Sequence, residues 1–244
     1  MRNIKCVIAY DGSAFMGWQI QVGVRTVQET MEKALKEILG HTLRVTASGR
    51  TDAGVHAFAQ VINFQTDSSI PIHGLVHGLN SVLPGDVAVN SAEEVPPEFH
   101  SRYMARSKMY AYVIDLSPTR NPFVERYALQ EKGPLDCASM QEAAGIFLGE
   151  HDFASFQASG SAVKTTSRII TVSEVFQTGR KVIFCMQGSG FLRHMVRNIV
   201  GTLLLVGKGK IPPQAMEQIM AQRNRSSAGP TAPAQGLYLV GVYY

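Results

Sequence analysis

The sequence is poor in the features that staple a chain, load it with metal or anchor it in a membrane. Its three cysteines, Cys6, Cys137 and Cys185, stand far apart and form no Cys-x-x-Cys pair. That excludes a disulfide framework and a cysteine zinc site, and reads as buried thiols in a reducing compartment. No apolar run reaches the length of a membrane span, no signal-peptide pattern opens the chain, and a cytoplasmic protein is expected. His73 and His77 lie four apart, but no Glu follows the first, so the zincin pattern fails and surface or core histidines are the reading. Gly188-Ser189-Gly190 and Gly207-Lys208-Gly209-Lys210 lack the spacing of a Walker A loop or a dinucleotide fingerprint. A Gly-x-Ser-x-Gly elbow is missing too, as is a cysteine set beside a histidine by spacing.

What is present suits an α+β protein in two halves. The 244 residues, 45% apolar, are enough for one large core or two smaller ones. A net charge of +4 permits a nucleic-acid partner without requiring one. Residues 3–10 read as a strand, and Thr26 with Glu29 forms a capping box for a helix whose apolar face is Val27, Met31, Ala34, Leu35 and Ile38, stopped at Gly40. Strands at 43–47 and 58–64, a helix at 72–83 and a strand at 86–95 complete the β-α-β-β-α-β order of a ferredoxin-like half over residues 1–104. The second half, 105–244, has similar content in a less tidy order. A strand with Tyr110, Tyr112 and Ile114 on one face precedes a helix at 135–148, a hairpin through Thr178-Gly179-Arg180 and a helix at 191–206; a short helix after Pro213 and a strand at 237–243 follow. Residues 157–166 and 224–235, rich in small residues, Gly or Pro, are expected to be mobile loops. The sheets are expected to be mixed and mainly antiparallel.

One stretch carries chemistry. Ser48 to Ala57 places Arg50, Asp52 and His56 within one loop between two strands, with Gly49 and Gly54 to let it turn. On spacing alone, a tight turn capped by Thr51 and Asp52 is the simpler reading; Asp52 remains the strongest catalytic candidate by elimination. Basic residues gather at Arg102, Arg106 and Lys108, at Arg193 and Arg197, at Lys208 and Lys210, and at Arg223 and Arg225. On a helix over 191–206, Arg193 and Arg197 fall one turn apart at the rim of an apolar stripe, where a guanidinium can reach into a cleft.

Gly49-Arg50-Thr51-Asp52-Ala53-Gly54-Val55-His56-Ala57 resembles the catalytic motif of the tRNA pseudouridine synthase A family. Further blocks resemble that family in its own order: Tyr10-Asp11-Gly12 with Gly17-Trp18-Gln19, Tyr110-Ala111-Tyr112, His151-Asp152-Phe153, residues 191–201 and residues 231–239. The resemblance implies two ferredoxin-like halves meeting at a central RNA-binding cleft. It implies a cofactor-free homodimeric isomerase that converts uridine to pseudouridine at positions 38, 39 and 40 of the tRNA anticodon stem-loop. Carried over, Asp52 is the catalytic aspartate, Arg50 the base-flipping arginine, Tyr110 the residue that stacks on the target base and Arg197 the salt-bridge partner of the aspartate; no metal and no membrane is implied. Whether the carboxylate attacks sugar or base, or removes a sugar proton, stays open. A non-catalytic RNA-binding protein of paired ferredoxin-like domains, or an enzyme acting on a small molecule, would share some of these features.

Overall fold

The protein is described here by a computed structural model covering residues 1–160 and 163–244. It forms two compact units, Met1–Arg106 with Tyr238–Tyr244, and Ser107–Leu237. In the first, β1 (Arg2–Tyr10), α1 (Val27–Leu39), β2 (Thr46–Ala47), β3 (His56–Thr66), α2 (Ile72–Val82) and β4 (Val87–Val95) follow the expected order. β1 sits between β4 and β3, and β2 pairs with the other edge of β3, all antiparallel, which is the ferredoxin-like arrangement. Period-two burial builds its core: Ile4, Cys6, Ile8 and Tyr10 from β1 face Val27, Met31 and Leu35 of α1 and Leu75 and Leu79 of α2. Each fully buried side chain of this size contributes about 1.5–3 kcal/mol.

α1 starts where expected, but without the capping box. The Thr26 hydroxyl is buried with no hydrogen-bond partner, and Glu29 pairs with Lys33 instead. The first-turn amides are taken by the chain itself: Val27 N donates to Gly17 O at 3.2 Å and Gln28 N to Trp18 O at 3.0 Å. A tertiary contact has replaced the local cap, and it ties α1 to the loop before it. Gly40 closes the helix in the left-handed region, as read from the sequence.

In the second unit, β5 (Ser107–Asp115), β6 (Leu129–Gln130), α3 (Cys137–Gly145), β7 (Gly149–Asp152), β8 (Ser167–Thr178), β9 (Lys181–Gly188), α4 (Met195–Gly207) and α5 (Ala215–Ala221) follow. β9 lies antiparallel between β5 and β8, β7 extends the β8 edge, and β6 runs parallel to β5. The last strand, β10 (Leu237–Tyr243), pairs parallel with the start of β3, Tyr238 opposite His56 and Leu239 opposite Ala57.

α4 begins four residues later than its apolar period suggests. His194 takes a left-handed φ of +62°, and Arg193 O accepts Ala158 N at 2.9 Å, so residues 191–194 approach the helix as a bound turn. Arg193 and Arg197 are therefore not one turn apart on a helix. The apolar stripe itself stands, with Leu192, Met195, Val196, Ile199, Val200 and Leu203 all buried.

Among the described residues, no helix is long and apolar enough to cross a membrane. The cysteines are free thiols, but only Cys6 is buried; Cys137 and Cys185 are partly exposed. Burial pushes the Cys6 thiol from 9.0 up to about 12. Burial likewise pushes the Tyr10 phenol from 10.0 up to about 12, against opposing hydrogen bonds from Thr51 and Gln60. A raised pKa favours the neutral form in the fold, so this stability is whole below the unfolded values and is lost as pH rises through the folded ones. Unfolding free energy should thus be level to about pH 9 and fall from there toward about pH 12; denaturant titrations across that range would show it, and a level line to about pH 11 would contradict it.

Candidate active site

Residues 48–55 join β2 to β3, and the loop is held by the rest of its unit on several sides. Ser48 N donates to Val61 O at 2.8 Å, Trp18 N to Thr51 O at 3.0 Å and Gly54 N to Phe15 O at 3.2 Å. The Tyr10 hydroxyl lies 2.8 Å from Thr51 Oγ1. Val55 N closes the turn onto Asp52 O at 3.2 Å, with Gly54 at φ +77°. Two glycines from the preceding segment let backbone meet backbone: a Cβ on Gly12 would lie 2.1 Å from Val55 O, and one on Gly17 2.8 Å from Thr51 O. The Tyr10-Asp11-Gly12 and Gly17-Trp18-Gln19 blocks are thus the cradle of the Asp52 loop. Asp52 is half-buried in it, and Arg50 projects as an exposed side chain.

His56 is a strut of the loop. Its ring is buried, and Nδ1 accepts Gly12 N at 3.0 Å. The Asp11 carboxylate lies 3.2 Å from the same atom, so a neutral ring accepts from Gly12 N and a protonated ring pairs with Asp11. The imidazole stacks on Tyr238, ring centroids 4.8 Å apart, and Tyr238 stacks on Phe58 at 5.2 Å.

In the second unit, Tyr110, Tyr112 and Ile114 point into the core, as their period of two requires. Tyr110 keeps 8% of its surface and meets Phe191 edge-on at 5.0 Å. Arg197 stands in the first turn of α4, where Nε donates to Ala232 O at 2.7 Å and its own carbonyl accepts Ala232 N at 3.0 Å. The Tyr112 hydroxyl donates to the adjacent Pro233 O at 2.8 Å.

The segment 224–235 is accordingly not the loose loop its composition suggests. Arg225 donates to Ala228 O, Gly229 O, Asn198 Oδ1 and Thr231 Oγ1. Thr231 also donates to Asn198 Oδ1, and Gly229 N to Thr202 Oγ1. The buried Asn198 amide and Thr202 hydroxyl on α4 together organise the segment. Of the other segment read as mobile, 157–166, Ser161 and Ala162 lie outside the described residues.

The basic residues sort by what they already hold. Arg225 is spent on the fold, Lys208 pairs with Glu131 at 2.8 Å and Arg223 with Asp152 at 3.0 Å. Arg102, Arg106, Arg193 and Lys210 are exposed, which is the state phosphate contacts need. His73 and His77 are exposed on α2, and among the described residues no three His, Cys, Asp or Glu side chains come together to hold a metal ion.

The model of the tRNA pseudouridine synthase family matches residues 6–104 and 143–244. The chain belongs to that family. It is 46% identical over 245 residues to the tRNA pseudouridine synthase A of Ruminiclostridium cellulolyticum, covering 100% of both chains. It is 46% identical to that of Geotalea daltonii, again covering 100% of both, and 47% identical to that of Geobacter sp. strain M21, covering 100% of this chain and 99% of that one. A chain in the structure of an H/ACA RNP bound to a substrate RNA containing 2'-deoxyuridine is 12% identical, with 82% of this chain and 44% of that chain covered, at a TM-score of 0.39, too low to say anything of the fold.

Arg50, Asp52 and Arg197 fall inside the stretches that the family model matches, and Tyr110 between them. What sequence reasoning missed in this family member is the support: Gln60, Phe191 and Ala232 hold the loop, the tyrosine and the arginine respectively. Gln60 had a signal. It is a polar residue in the core-facing row with Ile62 and Phe64.

Proposed function

We propose that this chain isomerises uridine to pseudouridine in tRNA, at positions 38, 39 and 40 of the anticodon stem-loop, and that Asp52 performs the chemistry. The observation that carries the proposal is the Asp52 loop. A half-buried carboxylate lies beside an exposed arginine on backbone gripped from both sides, in a chain aligned end to end with tRNA pseudouridine synthases A. The reaction exchanges the C1'–N1 bond for a C1'–C5 bond, releases the C5 hydrogen as a proton and protonates N1, with no net oxidation and no second substrate. A carboxylate suffices as nucleophile or base for it. A base inside a stem must leave the stack first, which is the role proposed for Arg50, with Tyr110 stacking on the extruded base. Arg197 is proposed as the cation paired with Asp52; no cofactor enters the scheme.

Transfer RNA carrying tritium at uridine C5 tests the proposal: the chain should release tritium to water in proportion to the uridines converted. RNA that is bound but never converted would favour the non-catalytic RNA-binding reading.

The active protein is proposed to be a homodimer. Sedimentation should give the mass of two chains at assay concentration, and a fully active single-chain species would contradict it.

A further inference from the structure

Gln60 is a polar side chain with none of its surface exposed. On β3 it shares a face with Ile62 and Phe64, and across the ladder it stands opposite Ile8. A hydrophobe would fill this position without the cost of desolvating an amide. The amide instead turns to the loop. Oε1 accepts Ser48 Oγ at 2.6 Å, and Nε2 donates to Gly49 O at 2.9 Å; Val61 N also reaches Oε1, at 3.2 Å. Both polar atoms of the amide are thus engaged: Ser48 and Gly49 lie just before Arg50, and the amide also hydrogen-bonds the Tyr10 phenol.

Tyr10 grips the other side. Its ring is buried beside Trp18, and its hydroxyl meets Thr51 Oγ1 at 2.8 Å; Trp18 N holds the Thr51 carbonyl. Arg50 is therefore the exposed residue between Gly49 and Thr51, each held by a buried side chain, and Asp52 follows the second anchor directly. The loop carries no helix or strand of its own between residues 48 and 55, so these side chains, together with the backbone bonds to Val61, Trp18 and Phe15, hold its backbone in place.

We propose that Gln60 and Tyr10 are positioning residues, which clamp the chain on either side of Arg50 and so set where Arg50 and Asp52 meet the target nucleotide. The proposal rests on the function given above. A shift of an ångström in a reacting group can cost about a hundredfold in rate, and two pinned neighbours prevent it.

The test is single-turnover pseudouridine formation with saturating tRNA, alongside tRNA affinity and the melting temperature of each variant. Tyr10→Phe keeps the ring and removes only the hydroxyl, so it is expected to fold. Its rate should fall about tenfold with affinity within about twofold of wild type. Gln60→Met, which keeps volume and removes the amide, should lose about tenfold to a hundredfold in the same way. Ser48→Ala added to Gln60→Met should cost little more, because both act through one bond. Variants that melt lower yet convert at the wild-type rate per folded molecule would overturn the proposal and leave the residues merely structural. If Gln60→Met does not fold, Tyr10→Phe decides alone. A wild-type chain silent in the same assay would sink the reading of the site itself, and the positioning roles with it.

Discussion

Asp52→Asn should abolish pseudouridine formation, by more than about 10⁴-fold, while tRNA affinity stays within a few-fold of wild type. The hydrogen bond that closes the turn comes from Val55 N to the Asp52 carbonyl, and the other anchors fall on Ser48, Thr51 and Gly54. The amide removes the charge and one carboxylate oxygen and keeps these backbone bonds. Filter binding and single-turnover conversion on the same preparation would separate the two effects. Loss of binding in step with loss of rate would assign Asp52 a structural part instead.

Gly201→Ala should be the most destabilising single methyl in the second unit. A Cβ there would lie 1.6 Å from Pro230 O, and Gly229 approaches the same turn of α4 from the loop side, its own Cβ position 2.8 Å from Gly201 O. Neither neighbour is a flexible side chain, so helix and loop must part. Overpacking against backbone should cost at least about 3 kcal/mol, or about 6–12 °C of melting temperature for a chain of this size. Displacing the loop also pulls on Ala232, the carbonyl that orients Arg197, so activity should fall further than stability alone accounts for. Gly145→Ala is the control: nothing lies within 4 Å of a Cβ there, and its melting should move little. Equal melting of the two variants would show that the close approach is not maintained in solution.

The chain's own periodicities made most elements legible. Alternating apolar residues marked β1 and β5, the 3.6-residue period marked α1 and α2, and Gly40 marked a helix end. The misreadings share a cause: local pattern lost to a tertiary partner. Thr26 did not cap its helix because the backbone of Gly17 and Trp18 reached the amides first. The 191–206 stripe was apolar throughout, yet α4 starts only after His194, since the preceding turn bonds to residue 158. Residues 224–235 looked loose because their small residues have no period; their order comes from Asn198 and Thr202, far away in sequence. The pairing of β10 with β3 likewise has no local signature.

The candidate site was legible to a different degree. Arg50, Asp52, Tyr110 and Arg197 stood out by likeness to a family, because side chains proposed to meet a substrate have few alternatives. The blocks holding Tyr10, Trp18, Phe191 and Ala232 stood out in the same way, but their supporting roles did not, since a carbonyl such as Ala232 O leaves no mark on a side-chain sequence. Gln60 interrupts its strand's apolar row beside Ile62 and Phe64, and a polar residue in a core position is the kind of exception that points to a function.

The most direct test of the central claim is to map pseudouridine, nucleotide by nucleotide, in an unmodified tRNA transcript incubated with the wild-type chain or with Asp52→Asn. Pseudouridine should be confined to uridines at positions 38, 39 and 40 with the wild type, and absent with the variant. No pseudouridine from the wild type, or the same pattern from both proteins, would contradict it.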